Sequence, residues 1–256
     1  VPAKGFCTDV FFDYAKRFIT KVKDSDKPFF VYLCTNAPHG PMHAPEKSAK
    51  PYAKQGVNVA NFLGMIANID DNVGAMRAFL KKEGLAENTI FIFTTDNGTS
   101  SGAHIHNNGM RGRKGSEYDG GHRVPFFIHW PKGGLTGGRD VDTITSYVDV
   151  VPTLIDYCRV PSPKGVKFDG ENIRPLIGNK AKNWPDRILV TDSQRVRDPI
   201  KWRKSSVMTD QWRLVNGKEL YDINADPSQK KNIAADNPKV VKRLTKFYDA
   251  WWEEIV

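Results

Sequence analysis

The sequence predicts an α/β protein: a helix-covered sheet, then a small antiparallel sheet with one helix. Three observations predict it. FFVYL (29–33), TIFIFT (89–94) and VPFFIHW (124–130) are short runs apolar on both faces, as strands buried between helix layers are. They alternate with stretches whose apolar residues recur at helical spacing, which argues for a parallel, helix-covered sheet. Near Trp184 the chain changes to short strands with tight connections and ends on one more amphipathic stretch. The expected division is residues 1–183, an α/β domain, and residues 184–256, four antiparallel strands and a helix.

The elements follow in order. Thr8 is a good N-cap for a helix over TDVFFDYAKRFITKVKD, with Phe11, Tyr14, Ala15, Phe18, Ile19 and Val22 on one face. The 29–33 strand runs into CTNAPHGPMHAP, where three prolines bar sheet and helix alike. A long helix is expected over 58–83, its face built from Val59, Leu63, Ile66, Val73, Met76 and Leu80, with Gly84 as C-cap. The 89–94 strand ends at Asp96-Asn97-Gly98 and opens a glycine-rich loop to Pro125. Asp149 can cap a helix over 150–158, Pro152 falling in its first turn. RILVTDSQRV, KSSVMTD, QWRLV and KELYDI read as strands, and Asn216-Gly217 is a two-residue hairpin signal. Asn237 and Pro238 start a final helix with Val241, Leu244, Phe247, Tyr248, Trp251 and Ile255 on its apolar face.

Composition bounds the function. The 256 residues carry a net charge of +9. Sulfated or phosphorylated substrates fit that balance, and so does nucleic acid. Solvated helix faces such as VKRLTKFYDAWWEE account for it equally. No zinc finger, RNP-like run or basic zipper is present, so no nucleic-acid partner is expected. The 3 cysteines, Cys7, Cys34 and Cys158, are no disulfide framework and are expected as buried small residues. No apolar run is long enough to span a membrane, and no membrane partner is expected. There is no signal peptide; the chain opens without Met, so a removed leader stays open.

The candidate chemistry sits at strand ends. Asp96 and Asn97 are adjacent oxygen donors suited to a hard cation, and equally ordinary turn residues. His39 and His43 lie in the proline loop; His104, His106, Arg111, Arg113, Lys114 and His122 lie in the glycine-rich loop. Loops at the carboxyl ends of strands in open α/β sheets are where ligands bind. For any one of them, solvent exposure is the competing reading.

Five blocks in order resemble one family, the sulfatases of the alkaline-phosphatase-like superfamily. They are GFCTDVFFDYAKRFI, FFVYLCTNAPHGPMHAP, IANIDDNVGAMRAFLKKEGLAENTIFIFTTDNG, RGRKGSEYDGGHRVPFFIHWP and MTDQWRLVNGKELYDINADPSQKKNIA. The resemblance implies an incomplete alkaline-phosphatase-like α/β/α sandwich followed by the small sheet and helix. It implies hydrolysis of a sulfate ester to an alcohol and sulfate. Asp96 and Asn97 match ligands of the family's calcium ion. His39 matches the histidine that contacts the sulfate and can protonate the leaving oxygen. Lys114 matches the lysine that neutralises sulfate oxygens. Arg111 is expected to help line the substrate pocket.

The chain also departs from the family. The family's nucleophile is formylglycine, made from a cysteine or serine in a C/S-x-P/A-x-R motif, and no Cys or Ser here fits it. The chain therefore looks like the carboxyl-terminal part of an arylsulfatase-like enzyme, inactive alone, with weak or absent calcium. A phosphate or phosphonate ester hydrolase, or a non-catalytic anion- or partner-binding remnant, are the alternatives. The expected substrate is a sulfate ester, in particular of a sulfated carbohydrate, and the resemblance implies a periplasmic, secreted or lysosomal setting. Strands apolar on both faces need cover, so self-association or pairing with an amino-terminal segment is expected.

Overall fold

The structure, a computed structural model, describes residues 4–181 and 184–256. Its contacts divide it into two units. The first comprises residues 1–89, 101–105 and 130–132; the second comprises 90–100, 106–129 and 133–256.

The first unit is built on helices. α1 (Cys7–Val22) buries Phe12, Ala15 and Ile19. Its N-cap is Phe6, not Thr8, which lies fully buried in the first turn. A short α2 (Glu46–Ala49) leads through a 3-10 turn (Lys50–Gln55) into α3 (Val57–Lys82). α3 buries Met76 and Leu80 as expected, with Phe62 and Met65 beside them; Val59, Leu63 and Val73 are half-buried, and Ile66 is exposed. Gly84 ends it as expected: at φ +71 its amide and that of Leu85 return to the carbonyls of Lys81 and Leu80. α1 is tied to α3 through Asp9, whose carboxylate accepts from the Asn68 and Asn72 amides at 2.8 and 2.7 Å.

Residues 29–35 correct the expectation of a strand buried on both faces. They are extended but join no ladder among the described residues. Burial alternates with period two: Phe29, Val31, Leu33 and Thr35 are half-buried, whereas Phe30 and Tyr32 are 76% and 83% exposed. Phe30 to Cys34 line a groove together with Phe11, Tyr14, Ala15 and Phe18 of α1. One face of this run is therefore open, which its composition could not reveal.

The second unit begins with β1 (Phe91–Thr94), followed by a single helical turn α4 (Asp119–His122) and β2 (Phe126–His129). β1 and β2 pair antiparallel, Phe91 opposite His129 and Thr94 opposite Phe126. The expected parallel arrangement is thus corrected for this pair. Parallel neighbours need a crossover that packs back over the sheet, and the four-residue α4 cannot supply one. α5 (Val150–Cys158) follows a Ser146–Asp149 capping box. Asp149 does more than cap: fully buried, it takes a bidentate pair from Arg187 at 2.9 and 2.8 Å. α6 (Arg174–Ile177) precedes the small sheet.

That sheet is four antiparallel strands in sequential order: β3 (Leu189–Asp192), β4 (Ser205–Met208), β5 (Trp212–Val215) and β6 (Glu219–Asp222). Asn216 and Gly217 both have positive φ, as the hairpin signal requires. The first ladder pair is Val215–Glu219, so Lys218 joins the loop and lengthens it by one residue. α7 (Pro238–Ile255) lays Leu244, Tyr248 and Trp252, spaced i, i+4 and i+8, on Val207, Leu214 and Leu220. Five of these, Val207, Leu214, Leu220, Leu244 and Tyr248, are completely buried, and they form the core of this sheet and helix.

The cysteines correct another expectation, since Cys7, Cys34 and Cys158 are all exposed. Each occupies an end or an open face: the start of α1, the uncovered side of 29–35, and the end of α5. An apolar sequence neighbourhood does not bury a residue whose own side chain points outward.

Candidate anion and cation site

The second unit brings the end of β1 and the glycine-rich loop together. Asp96 and Asn97 lie two and three residues beyond β1. The Asn97 side-chain amide donates to the Asp96 carboxylate. The Gly98 amide donates to the Gly121 carbonyl at 3.0 Å, and the Lys114 amide donates to the Thr99 carbonyl at 2.8 Å. These two bonds lash the Lys114 loop to the Asp96-Asn97 turn. Glycine is needed at the crossing, because a Cβ on Gly98 would collide with the Gly120 carbonyl oxygen.

Lys114 is half-buried, and its ammonium has no hydrogen-bond or ion-pair partner among the described residues. A fixed backbone under a free cation is a clamp for an anion's oxygen. Arg111 is differently placed. Its guanidinium stacks 3.8 Å from the Tyr118 ring centre and donates to the Tyr221 hydroxyl at 2.8 Å and the Gln229 carbonyl at 3.0 Å. One face of it is therefore committed to holding the loop.

Around Arg111 the Tyr118 and Tyr221 hydroxyls both donate to Glu219, at 2.7 and 2.6 Å. Burial, then the hydrogen bond to Glu219, pushes the Tyr221 phenol up to about 12 and raises Tyr118 too. Burial works to raise Glu219, but the two phenols and Arg111 outweigh it and hold the carboxyl below its usual range.

Beneath the loop, Asp119 is fully buried. Arg213 Nε donates to its Oδ1 at 3.0 Å, its own amide donates to Gln229 Oε1 at 2.9 Å, and His122 Nε2 lies 3.6 Å away. Burial pushes Asp119 up; His122 and the Arg213 charge outweigh it, so the carboxyl sits below its usual range. His122 is thus an inner structural residue, and both its ring nitrogens are buried without a hydrogen-bond partner among the described residues.

His39 belongs to the first unit and is exposed. Its Nδ1 lies 2.9 Å from the Gly40 carbonyl, which can only accept, so Nδ1 carries the proton and Nε2 is the ring's free nitrogen. His43, His104 and His106 are exposed. The sequence reading missed Asp119, Arg213, Gln229, Tyr118 and Glu219, and it missed the Arg187 partner of Asp149. Their partners lie up to 118 residues away, and no local pattern marks such pairs.

The donor chemistry of Asp96 and Asn97 fits a hard cation, though two residues supply only part of the six to eight oxygens calcium takes. Among the described residues no group of three or more His, Cys, Asp or Glu side chains could hold a metal. The formylglycine group does not fit, since every Cys and Ser lacks the motif's partners.

The second unit thus sets an unpaired lysine on a loop tied to a turn of hard oxygen donors, as proteins that handle small anions do. Comparison narrows the class. The sulfatase family profile matches residues 3–160, more than half of the chain, and the profile described as N-sulphoglucosamine sulphohydrolase, C-terminal, matches 113–250. The chain belongs to the sulfatase family. It is 30% identical to the uncharacterized sulfatase YdeN of Escherichia coli over 95% of this chain and 50% of that protein. It is 26% identical to an N-acetylgalactosamine-6-O-sulfatase of Bacteroides thetaiotaomicron, over 94% and 50%. The solved structure of Ps i-CgsB in complex with k-i-k-neocarrahexaose superposes with a TM-score of 0.88 at 26% identity, covering 98% of this chain and 56% of that one. The fold is the alkaline-phosphatase-like α/β fold of the sulfatases. The chain spans about half the length of these relatives. Among the described residues no helix is long and apolar enough to cross a membrane.

Proposed function

We propose that this chain serves in the hydrolysis of a sulfate ester, R–O–SO3⁻, and supplies the sulfate-binding side of the site. The observation that carries it is the free Lys114 ammonium on a loop lashed to the Asp96-Asn97 turn, in a chain of the sulfatase family. Lys114 neutralises a non-bridging oxygen as it gains charge in the transition state. Asp96 and Asn97 are two ligands for a divalent cation, which when bound supplies Lewis-acid stabilisation. His39 is the expected proton donor to the leaving oxygen, a role that requires Nε2 to be protonated as well, since the Nδ1 proton goes to the Gly40 carbonyl. Arg111 orients the loop and leaves its outer face for substrate. The relatives named for sugar sulfates, and the k-i-k-neocarrahexaose complex of a similar solved structure, support a sulfated carbohydrate as substrate.

Residues 1–256 contain no formylglycine motif, so we expect them to bind the ester without turning it over. Fold alone does not choose sulfate over phosphorus esters, because a phosphonate monoester hydrolase of Agrobacterium radiobacter shares it with a TM-score of 0.68 at 22% identity. The test is binding and turnover of phenyl sulfate against phenyl phosphate. Selective binding of the sulfate, lost in Lys114→Ala, supports the reading. Preference for the phosphate moves the chain to a phosphorus ester, and absence of any anion binding leaves a non-catalytic remnant. Turnover by this chain that Lys114→Ala abolishes would refute the expected inactivity.

A further inference from the structure

A second cation reaches the Lys114 loop from the small sheet. The Lys204 Nζ lies 3.5 Å from the carbonyl oxygen of Gly115, the residue after Lys114. Lys204 ends the β3–β4 connection, 89 residues further along the chain, and is exposed. Arg113 is exposed on the same turn. Among the described residues Arg113, Lys114 and Lys204 have no carboxylate within ion-pair distance. The nearest acids on these elements are engaged: Glu117 accepts from Asn216 at 2.9 Å, and Glu219 serves Tyr118, Tyr221 and Arg111. The Lys204 ammonium thus reaches a turn that carries Arg113 and Lys114, and none of the three has a carboxylate partner among the described residues, which favours an anion there.

The connection is held in a conformation it would not choose. Lys204 has φ +52 and Trp202 has φ +65, both in the left-handed region that side-chain-bearing residues rarely adopt. Such strain persists only where the surroundings over-determine it, and here they do. The Trp202 ring stacks 3.8 Å from that of Tyr248, its amide donates to the Tyr248 hydroxyl at 3.1 Å, and Tyr248 is fully buried. A Cβ on Gly217 would come within 2.9 Å of the Trp202 ring, so glycine lets the indole close down. The Lys204 carbonyl is pinned by the Ser193 amide at 3.0 Å. The outcome of this clamp is the placement of the Lys204 ammonium over Gly115.

We propose that Lys204, with Arg113, forms a second anion position beside the Lys114 clamp and selects substrates that carry a further sulfate next to the one being cleaved, as multiply sulfated sugars do. The proposal rests on Lys114 as the first clamp. Lys204 is a specificity-determining residue: it adds affinity for the second group and takes no part in the cleavage.

The test is calorimetric titration at low salt with two probes that differ by one sulfate, D-glucosamine 2-N,6-O-disulfate and D-glucosamine 6-O-sulfate. The expected preference for the disulfate is about tenfold, roughly one charge-assisted hydrogen bond, and it shrinks as salt rises because the position is exposed. Lys204→Asn removes the charge with a residue that tolerates positive φ, and is expected to bring the two affinities together; Lys204→Arg keeps them apart. If Lys204→Asn melts early, Arg113→Gln carries the same expectation. Equal affinities in the unmodified chain, or a preference that survives Lys204→Asn, overturn the second position and leave the first intact. A monosulfate that does not bind, or binds equally to Lys114→Ala, overturns the Lys114 reading and the proposal with it.

Discussion

Replacing Arg213 by Met would leave the Asp119 carboxylate buried without its only hydrogen-bonded cation. The pair is enclosed on both sides, with 9% of the Arg213 side chain and 1% of the Asp119 side chain exposed, and Nε to Oδ1 is 3.0 Å. Solvent cannot take over for the lost guanidinium. His122 Nε2 and Arg123 Nη1 stand at 3.6 and 3.9 Å, too far to hydrogen-bond. Breaking one side of such a pair costs about 3–5 kcal/mol. At about 2–4 °C per kcal/mol for a chain of this size, the melting temperature should drop by about 6–20 °C. The loss carries a pH signature. Asp119 in the native chain sits below its usual range, so its contribution is present above the unfolded value, about 3.9, and is lost as pH falls through the lower folded value. In Arg213→Met the carboxyl rises, because burial is then opposed chiefly by His122 alone. Its penalty is then full above the raised value and is relieved by protonation as pH falls. The gap between parent and variant should therefore narrow from pH 7 towards pH 4.5. Denaturant melts at both pH values, with hydrogen exchange of amides 119–122 and 212–215 as the local readout, test this. A gap under about 1 kcal/mol at pH 7, or one that does not change with pH, would refute the assignment of Asp119 as a charged buried partner.

Three further outcomes are expected. Leu244→Ala opens a cavity against fully buried neighbours in the α7 core and should cost about 2–5 kcal/mol, read as a lower urea midpoint. Gly98→Ala forces a methyl into the Gly120 carbonyl, and should abolish phenyl sulfate binding while leaving the exchange protection of α7 in place. Calorimetric titration with calcium should show no tight site, since Asp96 and Asn97 supply only part of the shell; sub-micromolar binding lost in Asp96→Ala would contradict this.

Much of the fold was legible where the signal is local. The long α3 with its Gly84 terminus, the Asn216-Gly217 turn and the α7 stripe of Leu244 and Tyr248 follow from helical periodicity and backbone stereochemistry. Both are properties of a few neighbouring residues. The candidate site residues were named from motif order, and the tie between the Asp96-Asn97 turn and the Lys114 loop follows from the clustered glycines. What the sequence could not carry was partnership between distant segments. The run 29–35 has a strand's composition in either case, and only its surroundings leave Phe30 exposed. β1 and β2 read alike whether parallel or antiparallel, and the intervening chain decided the direction. Arg111 looked like one more cation beside Lys114. Tertiary structure separated them by giving Arg111 an aromatic bed and two acceptors and leaving the Lys114 ammonium free. The same holds for Lys204, whose placement depends on a Trp202–Tyr248 stack across 46 residues. Local geometry is encoded locally, whereas burial, pairing and charge compensation are set by whatever the folded chain brings alongside.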